Sequence, residues 1–532
     1  MEKTYVTAGP LPQQQETHFG APPPNYGQQT ANTTYFVTGS VPPVVQPTTA
    51  TTTRTIFVTT APAGPPPPPP PTQNVNVIIN NNSQSQKRQR QMVGTASTLF
   101  LYGGMDMAQG LGWSYYSGFE ITPEYNYSWF IGVIIGAVVA SLCVQFLPKT
   151  VFYVLGNIME LIDAIIFVSA PYEYEPILAA RWLGGVGIGL ITVPFLIHSS
   201  EAASPNNRGL VSGSEQLGLS LGMAIQVIYN SQWEYEYLNM ASNRVHGIFG
   251  IIFSAIALGS LSMSVESPTF YITRNQESKG RECQRILLGG PLCSDVLLDS
   301  TYGEAKLYVV EGESESIGHQ LGASVMPFLK MLLFRSIVAF SFSTPLTCAL
   351  LWSSYEYLGY NHGWTLFVYG LLRFVGTALG VGFSDWPGRK FTSLLGLTCM
   401  AALMLGIAGI YGEPSHQTSW YFMTQVSHLC MAFQIFAGFY VATSSVYLGE
   451  AFPMKTKPYL IALIVCIEQI IHIIVLVSFL DVFVIEFRYF VAVGIIMVVA
   501  LIAFAVLMPE TRGMTLREAG KRFRRVHDVA AY

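Results

Sequence analysis

The chain has 532 residues, 50% of them hydrophobic and only 11% charged, with 28 Lys and Arg against 32 Asp and Glu and a net charge of −4. A soluble chain carries roughly 25% charged residues, so the composition excludes a soluble globular enzyme, and no basic domain is present to engage nucleic acid. With a mean hydropathy of +0.38, the chain reads as a polytopic membrane protein whose first partner is lipid.

Residues 1–91 are rich in Pro, Gln, Thr and Asn and include an unbroken proline run from Pro65 to Pro71. Such a segment cannot bury a core, so a disordered cytosolic tail with a polyproline II stretch is expected. It is either plain tail or a ligand for an SH3- or WW-type partner. It has no apolar leader of the kind that signal peptides carry. Twelve apolar runs follow, at about 94–117, 128–147, 150–170, 176–198, 209–230, 244–264, 333–355, 363–384, 391–411, 421–449, 459–480 and 486–508. Each approaches the ~20 residues that cross a bilayer. The widest gap, 265–332, splits them six and six. The expected fold is therefore an all-α membrane protein of twelve transmembrane helices. It comprises an N-terminal six-helix bundle (94–264), a cytosolic central loop with short helices (265–332), a C-terminal six-helix bundle (333–508) and a cytosolic tail (509–532).

Basic residues fix the orientation. Lys87, Arg88 and Arg90 precede span 1, and Arg274, Lys279, Arg281 and Arg285 lie in the central loop. Arg389, Lys390, Lys455 and Lys457 follow spans 8 and 10, whereas the alternate loops carry Glu120, Glu124, Glu173 and Glu175. Positive residues stay inside, so both termini are read as cytosolic. Asn126, in an Asn-Tyr-Ser sequon of the first external loop, is a glycosylation candidate. Of the seven cysteines, Cys143, Cys348, Cys399, Cys430 and Cys466 lie in spans and Cys283 and Cys293 in the central loop. They outline neither a disulfide framework nor a metal site, and no cofactor is implied. Trp113, Tyr115, Tyr116, Trp352 and Tyr355 suit an interfacial aromatic belt.

Arg181 opens the segment RWLGGVGIG, in which Gly184, Gly185, Gly187 and Gly189 permit close helix approach in lipid. A charge inside a span is costly and marks function. Other motifs sit at span ends: Glu266-Ser-Pro, Asp385-Trp-Pro-Gly-Arg389-Lys, Glu450-Ala-Phe-Pro and Pro509-Glu-Thr-Arg-Gly. With RWLGGVGIG and the EQLG of span 5, they resemble the sugar porter family of the major facilitator superfamily over about 94–515. The resemblance implies solute transport by alternating access, without covalent catalysis, and a plasma membrane location rather than an organelle. It implies a gate at the cytosolic ends made by Glu201, Arg208, Glu266, Asp385, Arg389, Glu450 and Lys457. It also places Asp106 where proton-coupled members carry an acid, with Arg181 facing it. The first-half counterpart of the Asp385 motif, Gln145-Phe-Leu-Pro-Lys149, lacks the acid and the glycine.

The substrate site departs from the family. Gln216 matches a sugar-bonding glutamine, but span 7 reads Ser341-Phe-Ser-Thr-Pro-Leu-Thr347 in place of long amides, and span 10 reads Ala442-Thr-Ser-Ser445 without an aromatic platform. Two usual amide positions hold Arg373 and Glu468. The candidate substrate residues are thus Gln216, Ser341, Thr347, Arg373, Ser445 and Glu468. The solute is a sugar or sugar-like molecule, moved with or without a proton. Arg373 and Glu468 either neutralise each other or suit a charged or zwitterionic solute. A non-transporting nutrient sensor with a degenerate site is a further reading.

Overall fold

A computed structural model of the chain describes residues 91, 95, 97–114, 119–232, 240–357, 364–479 and 487–528. These belong to one compact unit, residues 71–532. The proline-rich tail with its partner motif, Tyr115, Tyr116 and the side chain of Tyr355 lie outside the described residues.

In the first half the helices are α1 (Leu101–Gly110), α2 (Pro123–Cys143), α3 (Lys149–Ser169), α4 (Tyr174–Ala202), α5 (Arg208–Gln232) and α6 (Ser242–Ser260). Short helices follow: α7 (Pro268–Ile272), α8 (Glu277–Leu287), α9 (Asp295–Ser314) and α10 (Ile317–Ala323). The second half contains α11 (Val325–Phe340), α12 (Thr344–Leu351), α13 (Trp364–Asp385), α14 (Arg389–Tyr411), α15 (Pro414–Gln417), α16 (Trp420–Ala442), α17 (Ser444–Ala451), α18 (Lys457–Ser478) and α19 (Phe487–Leu507). An amphipathic α20 (Leu516–Phe523) closes the chain, started by a capping box between Thr515 and Glu518.

Ten segments among the described residues are long and apolar enough to cross a membrane, where twelve were expected. The two others lie where spans 1 and 5 were read. α1 has 10 described residues. α5 has 25, but Ser212, Ser214, Glu215, Gln216, Ser220 and Gln226 give it a buried polar face. Apolar residues instead face outward on the rim: Ile495, Val499, Ile502 and Val506 of α19 are 45–65% exposed. Their i, i+4 recurrence is a lipid-facing stripe.

Span 7 begins at Val325 rather than 333, because Lys330 does not end the helix. Its Nζ reaches the C-terminal carbonyls beyond α20, at Phe523 O (3.3 Å) and Arg525 O (2.6 Å), a cation satisfying orphan acceptors. The same span breaks at Ser341–Ser343, where Ser343 is extended before Thr344-Pro345. Span 10 only tightens at Thr443, which keeps helical dihedrals.

Within the first half, α4 packs on α2 and α3, α3 on α6, and α1 on α5. In the second, α16 packs on α13 and α14, α14 on α19, and α11 on α18. The halves meet along two seams, α5 with α13 and α2 with α18. At Gly185 of α4 a side chain would collide with the backbone of Trp129 and Gly132 in α2, so α2 and α4 touch backbone to backbone. Gly185→Leu has no flexible neighbour to displace. It is expected to cost more than the ~1–3 kcal/mol of ordinary overpacking, read as loss of the monodisperse peak on size exclusion in detergent.

Candidate functional site

The end of the bundle that carries α7–α10 and α20 is held shut by charged groups crossing between the halves. Glu450 of α17, fully buried, accepts from Arg389 Nη1 at 2.6 and 2.7 Å and from Arg208 Nη1 of the other half at 2.8 Å. Asp385 reaches across the seam to the N-terminus of α5, accepting from Gly209 N (3.0 Å) and Leu210 N (2.9 Å). A carboxylate there satisfies orphan N–H groups and complements the helix dipole. Lys457 Nζ crosses to Ser200 Oγ at 2.8 Å.

The first half repeats this logic internally. Lys149 Nζ lies 3.6 Å from Glu201 and 3.2 Å from Glu266. Glu266 also caps α3 through Lys149 N at 2.7 Å. Glu201 accepts from Ser267 Oγ (2.7 Å) and from Thr269 Oγ1. Burial alone would raise Glu266, but Lys149, His198 and the Ser267 N–H together hold it below the usual carboxylate range. The missing acid of the Gln145 motif leaves a visible asymmetry: Gln145 Nε2 crosses only to Tyr459 OH, at 2.8 Å and exposed. All seven predicted gate residues therefore gather at one end, in two lattices joined across the seams.

Between the halves lies a cavity of about 40 Å³ whose lining includes Gln216, Arg335, Arg373, Glu468 and Gln469. That is room for water but not for a sugar. Three of the six predicted substrate residues line it. Ser341 is one step behind, its Oγ and O accepting from Arg373 Nη1 at 3.1 and 3.4 Å. Thr347 sits beside Gly112, and Ser445 Oγ is buried in α17 without a partner; neither lines the cavity.

Arg373 and Glu468 do not neutralise each other. Glu468 pairs with Arg335 Nε at 3.2 Å, and Arg335 Nη2 lies 3.6 Å from Glu215 of the other half. Arg373 is 2% exposed and, among the described residues, has no carboxylate partner. It meets Ser341, Gln434 Oε1 at 3.5 Å and the face of Phe342, and its Nε bonds nothing. At the far end Trp113 packs on Tyr369 across the seam, ring centroids 5.7 Å apart. At 1% exposure Trp113 is a plug rather than a belt residue.

Asp106 and Arg181 are neighbours but not an ion pair. Arg181 donates to Asp106 O (3.3 Å), Gln109 Oε1 (3.0 Å) and Tyr125 O (2.8 Å). The Asp106 carboxylate instead lies 3.0 Å from His246 Nε2, whose Nδ1 meets Gln226. Asn126 sits in the first turns of α2 rather than in an open loop. The serine of its sequon, Ser128, is fully buried and bonded to Tyr125 O at 2.9 Å. Motif reading passed over Arg335, Glu215, His246, Glu160 and Asp163, although each is a titratable residue inside a predicted span and so a candidate by that fact alone.

The family model described as "Sugar (and other) transporter" matches residues 126–523. Sugar transport protein 1 of Arabidopsis thaliana is 23% identical over 75% of this chain and 78% of its own length. The high glucose sensor RGT2 of Saccharomyces cerevisiae is 22% identical over 66% of this chain and 47% of its own. Among solved structures, the major facilitator proton:xylose symporter XylE bound to 6-bromo-6-deoxy-D-glucose superposes with a TM-score of 0.68 at 18% identity, covering 82% of this chain and all of that one. At that identity the likeness shows the major facilitator fold.

Two outcomes follow at the closed end. Glu450→Gln strands Arg208 and Arg389, and breaking a buried pair costs ~3–5 kcal/mol. A cysteine placed at Ser445 is therefore expected to become reactive to a hydrophilic maleimide in that background and to stay protected without it. Glu266→Gln is expected to lower the melting temperature at neutral pH and to match the parent in acid. A carboxylate held low in the fold stabilises above its unfolded pKa, and that contribution is lost as pH falls through the folded value.

Proposed function

Because the chain belongs to the sugar (and other) transporter family, a non-enzymatic family, we propose that it moves a small polyhydroxylated solute across a membrane by alternating access. The observation that carries this is the cavity between the halves, where Gln216, Arg335, Arg373 and Glu468 interrupt a mostly apolar lining, beside a helix that breaks at Ser341–Ser343. Discontinuous helices at a midplane site are how such carriers expose backbone groups to solute. The two apolar-poor segments α1 and α5 complete a set of twelve spans. The α7–α10 end is cytosolic on the charge bias, and both termini lie on that side, at the plasma membrane. Opening toward the cytosol separates Arg208 from Glu450, Asp385 from the α5 N-terminus and Lys457 from Ser200. A network of this kind biases a two-state equilibrium. Gln216, with donor and acceptor on one amide, suits adjacent hydroxyls.

Proton coupling is part of the reading. XylE, similar in fold, is a proton:xylose symporter by name, and Asp106 with Arg181 stand together in the first half of this chain. The Asp106 carboxyl is free of the guanidinium, so it can exchange a proton with His246 without first breaking an ion pair.

A second reading rests on Arg373. A buried guanidinium without a carboxylate leaves its own charge for the solute to answer, and Arg grips a carboxylate through two parallel bonds. A sugar acid would supply hydroxyls for Gln216 and a carboxylate for Arg373. Uptake into proteoliposomes of D-glucose, D-xylose and D-glucuronate separates the readings. Uptake of the neutral sugars, retained in Arg373→Gln, carries the first. Uptake confined to D-glucuronate, and lost about 10–100-fold in Arg373→Gln as a charged hydrogen bond predicts, carries the second. Saturable binding with no uptake would replace the carrier by a sensor.

A further inference from the structure

Three polar side chains of α3 stand one above another inside the first half, away from the cavity between the halves. Asn157, Glu160 and Asp163 share one helix face at i, i+3 and i+6, and each is no more than 1% exposed. Glu160 Oε1 faces Gly103 of α1, 3.6 Å from where a Cβ would stand. Asp163 Oδ2 and Asp106 Oδ2 converge on the same point beside Gly184, where a side chain would strike both, the latter at 2.9 Å. These two carboxyl groups face each other within hydrogen-bond reach, and among the described residues no N–H or hydroxyl donor reaches either of those oxygens.

The rest of the face is equally unmatched. Both amide atoms of Asn157 and Glu160 Oε1 lack a protein partner. Buried polar atoms of that kind are met by water or by function. Asn157 offers a donor and an acceptor at once. One turn nearer the α7–α10 end, Tyr153 OH meets His198 Nδ1 at 2.9 Å. Both border a cavity of about 20 Å³ that also touches Thr95, Ser199 and Ser264, enough for a water molecule. The groups that face this column from other elements are Tyr102 and Asp106 of α1, Arg181 and His198 of α4, Tyr229 of α5 and His246 of α6. Arg181, the one fixed cation among them, gives Nε and Nη1 to Gln109 and backbone carbonyls, while its Nη2 makes no hydrogen bond and its charge acts on Asp163. Acids inside a span are costly, so two on one helix that make no ion pair among the described residues call for a use.

We propose that α3 is a proton relay, running from the Tyr153–His198 pair past Asn157 to Glu160 and Asp163 and ending on Asp106, separate from the solute route between the halves. At the first step the Tyr153 O–H or a His198 N–H bond breaks as an O–H bond forms on water; beyond it each step breaks one O–H bond on water or a carboxyl and forms one on the next acceptor, with Asn157 holding the water by hydrogen bonds and never itself protonated, so protons and water are the only reactants. The inference rests on the proton-coupled reading above, but its test does not use transport.

The full chain in nanodiscs is moved from H₂O to D₂O at acid pH, and the infrared carboxyl C=O bands are followed in time. Glu160→Gln and Asp163→Asn each remove one exchanging band, and Asn157→Leu, which removes the amide that holds the relay water, slows exchange of both by about tenfold or more. Melting temperature confirms that each variant is folded, and Tyr153→Phe gives a second, milder block at the same step order. Absence of protonated carboxyl bands assigned to Glu160 or Asp163, or exchange unchanged in both Asn157→Leu and Tyr153→Phe, overturns the relay even if proton-driven uptake stands. Exchange that slows as expected in a protein whose uptake ignores the proton gradient keeps the relay and removes the coupled reading.

Discussion

Glu450 ties the two halves together at the α7–α10 end. It is a fully buried carboxylate that holds Arg389 of its own half and Arg208 of the other at 2.6–2.8 Å. Two guanidinium groups in a water-poor seam are tolerable only while that carboxylate faces them, because a buried charge without its partner is far more costly than the pair. The other crossings at that end, from Asp385 to the α5 N-terminus and from Lys457 to Ser200, depend on the approach that Glu450 enforces. A carrier that opens there has to rehydrate all of these groups together, which makes the change concerted rather than gradual.

The two halves reach closure unequally. In the second, Asp385 makes two bonds to backbone N–H groups across the seam. In the first, the same place holds Gln145, which makes one exposed bond to Tyr459. A neutral amide gains nothing from a helix dipole, so the α5–α13 seam is electrostatically the stronger and the α2–α18 seam rests more on packing, with Phe130 stacked on His472. Of the two seams, α2–α18 is the one with less charge to separate.

Charge is handled differently at the centre. Arg335 links Glu468 of its own half to Glu215 of the other, joining both sides of the cavity, while Arg373 is left with hydroxyl, amide and carbonyl partners. The amides that the resemblance led one to expect are replaced by ions that either satisfy one another or wait for a solute. In the first half the acids of α3 and α1 gather beside Gly184, where only a residue without a side chain leaves space for two carboxyl groups.

The membrane class was legible from the chain, because hydropathy runs are local features that lipid imposes on any sequence, and the seven charged residues read at span ends do lie together at one end of the fold. So was the neighbourhood of Asp106 and Arg181. Pairing was not legible. That Glu468 turns to Arg335 and not Arg373, that Asp106 meets His246, and that Ser445 stays off the cavity depend on helix rotation, which the crossings of packed helices set. Span ends were misjudged where a tertiary contact outweighed a local cue: Lys330 reads as the edge of a span until its ammonium finds the carbonyls after α20. The sequence by itself determined what kind of molecule this is and which residues carry charge into the membrane. Only the tertiary structure decided which charges meet, since an ion's partner in lipid is whichever group the folded helices bring within a few ångströms.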